Sequence, residues 1–343
     1  MIAIQPAKGG FSSEWIQYCI EKGINYKTVN CYNNDIINQL KGCNYFMWQF
    51  YQGSPVDILM AKKLLFALEQ SGINVFPDFH SAWHFDDKIG QKYLLEAIEA
   101  PLVNTYIFYS GDEALQWACH ADFPKVFKLR NGAGSQNVRL VRSKMEAYGL
   151  IKKAFGKGFK AYDPLGSLNE RWRKFKLGKT DFRDLLEGIA RFLVPPPYAR
   201  VRGRERGYIY FQDFIQDNDH DIRVVVIKDK AFAIKRMVRK NDFRASGSGD
   251  ITYDPKLIGN DLISLSFKLA EKLQSQCIAF DYLRKGSEPV LIEISYGFSP
   301  EGYISCQGYW DKEITWHEGQ FNPYGWMVEN LINRGGNTEI YGL

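Results

Sequence analysis

Along its first eighty residues the chain alternates between two hydrophobic periods. "MIAIQP" is a short apolar run of buried-strand type, and "SSEWIQYCIEKG" sets apolar residues at helical spacing between a serine start and a glycine stop. "INYKTVN" and "CNYFMWQF" read as the next strands, "SPVDILMAKKLLFALEQSG" as a second helix, and "INVFPD" as a fourth strand. Strand and helix in alternation predict a small parallel, doubly wound sheet. The first turn, Ala7-Lys8-Gly9-Gly10-Phe11, lacks the glycine spacing of a dinucleotide fingerprint.

From His84 the pattern shifts. "HFDDKIGQKYLLEAIEA" and "SGDEALQWACHA" have helical periodicity, with "PLVNTYIF" between them as a strand. "PKVFKLRNGAGSQNVRLV" follows, two strand-like flanks around a turn of glycine, small polar and basic residues. That turn is open to two readings, a plain hairpin or a lid that folds over phosphates. Beyond residue 207 strands dominate: "GYIYFQDFI", "DIRVVVIKDKAFAIKRMVRK" and, after the helix "DLISLSFKLAEKLQS", the hairpin "CIAFDYLRKGSEPVLIEIS". These shifts divide the chain into an N-terminal α/β domain over 1–83, a middle part over 84–207 and a strand-rich part over 208–343.

Composition changes the picture only locally. The 343 residues are 45% hydrophobic and 24% charged, as in a globular protein with two or three cores. A net charge of +5 is too mild to imply nucleic-acid binding by itself. The charge is uneven, because residues 150–206 hold 15 Lys and Arg against 6 Asp and Glu. Nucleic-acid binding through this stretch would show steep salt dependence, but no recognition motif accompanies the charge. The stretch includes "VPPPYARVRGR", too proline-rich for a helix or a central strand. Six dispersed cysteines form neither a CxxC pair nor a zinc-spaced cluster. With no signal peptide and no apolar run of membrane-spanning length, the sequence predicts a reduced, cytoplasmic setting.

Two carboxylates carry the first chemical suggestion. Asp281 and Glu293 sit toward the facing ends of the last hairpin's strands, each among core-type neighbours. Burying an unpaired charge is costly, and two carboxylates on neighbouring strands repel unless a cation joins them. Magnesium suits such a pair, taking one or two carboxylates and completing its shell with water and phosphate oxygens. Two edge-strand charges facing solvent fit the same pattern. Alternation in "DIRVVVIKDKAFAIKRM" puts Asp221, Arg223, Val225 and Ile227 on one face, with Lys235 and Arg236 on the following strand. Those cations suit the charge of a transferring phosphoryl group, although taken alone they describe a solvated basic strand equally well.

The order of these pieces resembles the ATP-grasp superfamily, and within it the amino-acid ligases that include glutathione synthetase and the ribosomal-protein glutamate ligase. "DDKIGQKYLLEAIEAPLVNTY", "KLRNGAGSQNV", "YFQDFIQDNDHDIRVVVIKDKAFAIKRM" and "FDYLRKGSEPVLIEIS" carry the resemblance, over about residues 84–300. It implies an α/β protein of ATP-grasp fold: an N-terminal doubly wound parallel sheet domain, a small lid subdomain and a C-terminal α+β subdomain. By the same resemblance Lys88 and Lys128 contact nucleotide phosphates, and Gly132, Gly134 and Ser135 form the lid. Backbone groups of Gln212, Asp213, Phe214 and Ile215 read the adenine edge, and Asp221 lies near the ribose. Arg223 and Arg236 neutralise the phosphates and the acyl phosphate, while Asp281, Glu293 and Ser295 hold magnesium (or manganese). Arg244 and Ser246 lie where relatives hold an anionic acceptor. Ser295 departs from the family's asparagine, and a hydroxyl is the weaker ligand.

What the resemblance implies is an ATP-dependent carboxylate–amine ligase working through an acyl phosphate. It needs no covalent protein nucleophile, and a closed glycine lid would keep water from the acyl phosphate. The basic insertion and an aromatic tail suggest an anionic or sugar-bearing substrate such as a uronic acid of a bacterial surface polysaccharide. Tyr296, Tyr303, Tyr309, Trp310 and Trp316 are the candidates for stacking; the same aromatics also fit core packing around a C-terminal helix. An amino-acid or peptide ligase is the variant within the class. A degenerate module that binds nucleotide or glycan without turnover is the alternative outside it, favoured by Ser295. The sequence does not fix the oligomeric state, a dimer included.

Overall fold

A computed structural model describes residues 1–7, 9–132, 137–176, 178, 180–239 and 242–336. The chain forms two compact units. The first joins Met1–Tyr51, Val56–Phe85 and Asn218–Leu343, and the second joins Gln52–Pro55 and Asp86–Asp217. No helix among the described residues is long and apolar enough to cross a membrane.

The first unit opens with the alternation read from the sequence. Strands β1 (Ile2–Ile4), β2 (Tyr26–Thr28), β3 (Tyr45–Met47) and β4 (Asn74–Phe76) form a parallel sheet in the order β2-β1-β3-β4. Helices α1 (Phe11–Lys22) and α3 (Pro55–Gln70) are its long connections, and α2 (Ile36–Gln39) and α4 (Phe79–Ala82) are single turns. Ile2 and Ile4 meet Phe11, Trp15 and Cys19 of α1, whereas Ala3, pointing oppositely, meets Ala61, Leu65 and Leu68 of α3. The period-2 alternation of β1 therefore feeds two cores, and the sheet is wound on both faces. The start of α1 differs from the serine cap expected. Gly10 takes the cap position, and the Phe11 N–H donates to Gln49 Oε1 at 2.5 Å. A side chain reaching in from the end of a neighbouring strand has replaced the local cap.

The second unit contains α5 (Lys88–Ala97), β5 (Thr105–Phe108), α6 (Gly111–His120), β6 (Lys125–Lys128), β7 (Arg139–Val141) and α7 (Lys144–Phe155). It continues with β8 (Phe159–Lys160), α8 (Pro164–Lys176), α9 (Phe182–Ala190), α10 (Pro197–Arg202), β9 (Arg204–Glu205) and β10 (Ile209–Asp213). β5, β10, β6 and β7 form an antiparallel sheet in that order. Phe127, Leu129, Ile209 and Phe211 pack one face against Ala114 and Ala118 of α6 and Ala147, Ile151 and Ala154 of α7. The intervening residues Val126, Lys128, Tyr210 and Gln212 belong to the opposite face. The basic insertion is helical: α8 and α9 contact one another, and Arg171 Nη1 donates to the Asp184 carbonyl at 2.7 Å. "VPPPYARVRGR" also forms a helix, contrary to its proline content, because Pro196 and Pro197 fall at the cap and first position of α10, where no N–H is needed.

The first unit is completed by β11 (His220–Ile227), β12 (Lys230–Met237), β13 (Ile251–Thr252), β14 (Ile278–Lys285), β15 (Glu288–Ser295), β16 (Gly308–Asp311) and β17 (Trp316–Glu318). Their order is β15-β14-β11-β12-β16-β17, with β13 on β12. Val225, Ile227, Phe232, Ile234 and Ala279 on one face share a core with α1 and with Met327, Val328 and Leu331 of α12 (Pro323–Gly336). Helix α11 (Asn260–Lys272) also packs on β11, with Leu262, Ile263, Ser266 and Phe267 buried. The aromatic tail belongs to this packing and is no exposed platform. Tyr296 is fully buried and donates to the Phe50 carbonyl at 3.0 Å, and Tyr303 lies against Phe232 and Phe298. Tyr309 stacks on His317, and Trp310 meets Trp316 with ring centres 4.5 Å apart.

Candidate active site

In the second unit, the residues suggested for phosphate binding occur as paired groups. The Asp87 carboxylate caps α5 by accepting from the Ile89 and Gly90 N–H groups, which fixes Lys88 in the first turn. Lys88 is buried, and its Nζ donates to the Gly132 carbonyl at 2.9 Å. Gly132 lies just past β6 with φ +125°, and its N–H donates to Asp86 Oδ1 at 2.7 Å. A side-chain residue would be strained there. Gly134 and Ser135, the other expected lid positions, lie outside the described residues. Lys128 is buried on β6, and its Nζ donates to Gln212 Oε1 at 2.7 Å across the sheet. Gln212 Nε2 in turn donates to Thr105 Oγ1 at 3.1 Å. The lysine is thus aimed by a cross-strand amide.

The expected adenine-reading segment is only partly at a strand end. β10 lies between β5 and β6, so Gln212 has ladder neighbours on both sides, and the Asp213 N–H donates to the Asn104 carbonyl at 2.9 Å. Phe214 and Ile215 lie past the ladder, half-buried. The Asp213 carboxylate accepts from Lys125 Nζ at 2.6 Å and Asn104 Nδ2 at 2.9 Å.

Sequence reasoning missed Asp86 and Arg202. Arg202, at the end of α10, pairs with the Asp86 carboxylate and donates to the Gln52 carbonyl at 3.1 Å. Asp86 has φ +56° and also accepts from Gly132, so one buried carboxylate ties the basic insertion to the base of the glycine turn. The Asp86-Asp87 doublet was the available signal, since only Asp87 is needed as the cap.

In the first unit, β11, β12 and β14 bring four charges together. Cross-strand register sets Asp221 opposite Arg236 and Arg223 opposite Asp281, and Asp281 opposite Glu293 of β15. Arg223 Nε and Nη2 donate to the two Asp281 oxygens at 2.5 and 2.6 Å. Arg236 Nε and Nη2 donate to the two Asp221 oxygens at 2.6 and 2.7 Å, and Nη2 also lies 3.1 Å from Asp281 Oδ1. Burial disfavours the Asp281 anion, but the Arg223 and Arg236 charges overcome it and hold the carboxyl well below the usual range. The same two acids raise the arginine pKa values against the opposing effect of burial.

This network alters the roles drawn from the resemblance. The Asp221 carboxylate, expected near the ribose, accepts from Arg236 through both of its oxygens. The two arginines are already balanced by two carboxylates. Each guanidinium keeps Nη1 outside these bonds, and Arg223 is 21% exposed in its side chain. For magnesium, Asp281 and Glu293 are in the right relation, directly paired on adjacent strands. Three N–H contacts leave Asp281 about one of its roughly four acceptor positions, so Glu293 would be the principal ligand. Ser295 fits poorly: its Oγ donates to the Gly297 carbonyl at 2.9 Å and accepts from the Gly297 N–H at 3.2 Å. Among the described residues no three His, Cys, Asp or Glu side chains cluster as metal ligands. Arg244 and Ser246 stand in the loop between β12 and β13. Arg244 is closed on Asp242, with Nη2 2.6 Å from its carboxylate, and the Ser246 carbonyl accepts from Arg239 Nε at 2.9 Å.

Known proteins share this architecture. A RimK-like ATP-grasp domain matches residues 202–303. The biotin carboxylase domain of Hydrogenobacter thermophilus 2-oxoglutarate carboxylase, solved with MgADP and bicarbonate, superposes with TM-score 0.58 at 13% identity, covering 99% of this chain and 70% of that one. D-Alanine–D-alanine ligase of Bacillus anthracis, solved with ATP, gives 0.56 at 11% identity over 98% and 97% of the chains. The chain has an ATP-grasp fold. A RimK domain ATP-grasp protein from Sphaerobacter thermophilus gives 0.53 at 13% identity over 96% and 99%. No curated protein matches in sequence. At these identities the likeness is one of ATP-grasp architecture, and the site roles stand on this chain's own residues.

Proposed function

We propose that the protein is an ATP-dependent carboxylate–amine ligase. The observation that carries this reading is the pairing of Asp281 with Glu293 beside Arg223 and Arg236 on one sheet face, within a chain of ATP-grasp fold. In this reading Lys88 and Lys128 bind nucleotide phosphates, and the Phe214–Ile215 segment meets the base. Glu293 and Asp281 would hold magnesium, which would supply charge neutralisation to the phosphates. The Nη1 groups of Arg223 and Arg236 receive the phosphoryl charge as it moves. A substrate carboxylate oxygen attacks the terminal phosphorus, forming the acyl phosphate and releasing ADP. An amine then attacks the acyl carbon, and the amide forms as phosphate and a proton leave.

For the acyl donor, an amino acid or peptide fits better than a uronic acid. Of the aromatics that argued for a sugar, Tyr296 and Tyr303 are buried in cores, Tyr309 packs against one, and Trp310 and Trp316 pack on each other. The test is ADP release from MgATP over a panel of amino acids and uronic acids, with hydroxylamine as the amine, which converts any acyl phosphate to a detectable hydroxamate. Hydroxamate with a panel carboxylate is the expected result. Tight MgATP binding without ADP release from any pair would instead indicate the non-catalytic nucleotide-binding module.

A further inference from the structure

Tyr303 follows the short turn Pro300–Gly302, and its ring is 7% exposed. Phe232 and Phe298 hold it edge-on, at ring-centre distances of 5.2 and 5.1 Å and interplanar angles of 84° and 73°. Phe232 belongs to the same β12 face as Arg236, and its register partner Val225 to the same β11 face as Arg223. The ring is therefore fixed at the border between the apolar core and the charged quartet. Its hydroxyl is buried and has no hydrogen-bond partner among the described residues. A buried tyrosine hydroxyl ordinarily finds one, and leaving it unpaired carries a desolvation cost. Burial raises the phenol's pKa and the Arg223 and Arg236 charges only moderate this, so the oxygen keeps its proton and remains a donor.

A phenol O–H lacking an acceptor, within the field of two guanidinium groups, is matched by an anionic oxygen. We propose that the Tyr303 hydroxyl donates to a carboxylate or phosphoryl oxygen of the reacting group bound at the Arg223–Asp281–Arg236 face. This rests on the ligase reading and adds to it a residue that orients the group undergoing transfer.

Tyr303→Phe removes only the hydroxyl. Wild type and variant are compared by thermal denaturation without ligand, by calorimetric binding of MgADP and MgATP, and by ADP release with the carboxylate active in the panel. The expected variant melts at or slightly above the wild-type temperature, since no protein hydrogen bond is lost, and binds MgADP unchanged. A donor to an anionic acceptor is worth about 10- to 100-fold. If the partner is the terminal phosphoryl, that loss falls on MgATP affinity. If it is the substrate carboxylate, MgATP affinity is kept and kcat/KM for the carboxylate falls. A lowered melting temperature with MgADP binding weakened alongside would make Tyr303 structural and overturn the proposal. So would unchanged MgATP binding and unchanged turnover. A wild-type protein that binds neither nucleotide removes the ligase reading, and this proposal with it.

Discussion

Replacing Asp281 by Asn keeps its volume and removes one charge from the buried quartet. The carboxylate accepts from Arg223 at 2.5 and 2.6 Å and from Arg236 at 3.1 Å. The amide retains one acceptor oxygen and turns its NH2 toward a guanidinium, so Arg223 loses its bidentate partner and the quartet becomes net positive. Removing one member of a buried pair costs ~3–5 kcal/mol, chiefly because the other charge is left uncompensated. At ~2–4 °C per kcal/mol for a unit of this size, the melting temperature should fall by roughly 10 °C in differential scanning calorimetry without nucleotide or metal. Adding Arg223→Met restores the balance, and the double variant should recover ~1–3 kcal/mol relative to the sum of the singles. If Asp281 acted mainly as a metal ligand, its neutralisation in metal-free protein would relieve repulsion with Glu293 and leave stability level or higher. A variant melting within about 2 °C of wild type, or an additive double variant, would refute the commitment of Asp281 to the arginines.

Other expectations follow from single contacts. Lys128→Met removes the cation proposed to bind phosphate and leaves Gln212 Oε1 without its buried donor; MgATP affinity should fall at least about tenfold, with ~1–3 kcal/mol of stability lost by denaturant titration. Glu293→Gln should abolish the magnesium dependence of nucleotide binding while shifting the metal-free melting temperature far less than Asp281→Asn. At Gly10 a Cβ would fall 2.4 Å from Gln49 Oε1, so Gly10→Ala displaces the group that accepts from Phe11 and should cost ~1–3 kcal/mol, read as a lower urea midpoint. His84 is buried neutral, with burial first and the Lys62 charge second lowering its pKa from 6.5 to about 4. The folded value lies below the unfolded one. Its contribution is therefore complete above pH 6.5 and lost as pH falls toward 4, about 3 kcal/mol in all, and His84→Phe should flatten that part of the pH–stability curve.

The parts of this protein legible in the sequence are those written as periodicity. The alternation of strand and helix over the first eighty residues foretold a sheet wound on both faces, and Asp221, Arg223 and Val225 foretold a shared face. What could not be read was long-range pairing of polar groups. Nothing near Phe11 in the chain says that Gln49 will cap it, and nothing near Lys128 says that Gln212 will aim it. The carboxylate hairpin was read as a place for a cation. The fold also sets Arg223 one strand away, donating to Asp281, which could not be read because cross-strand register is invisible until the sheet is assembled. Likewise the aromatics of the tail signal burial and stacking with the same residue types, and only the neighbours Phe232 and Phe298 decide for burial.

The charge balance of the quartet constrains how such a face could handle phosphate. Arg223 and Arg236 against Asp221 and Asp281 sum to zero. An electroneutral cluster attracts a polyphosphate only through the direction of its N–H dipoles, which act at short range. In the proposed ligase reading, the long-range attraction falls to the residues assigned to nucleotide phosphate, Lys88 and Lys128, and to the metal assigned to Glu293. Because the arginines are fixed by their carboxylates before any ligand arrives, their Nη1 donors need no rearrangement when charge develops on a phosphoryl group. That division separates capture from chemistry. Changes at Lys88, Lys128 or Glu293 should act mainly on nucleotide affinity and its salt dependence, and changes at Arg223 or Arg236 mainly on turnover.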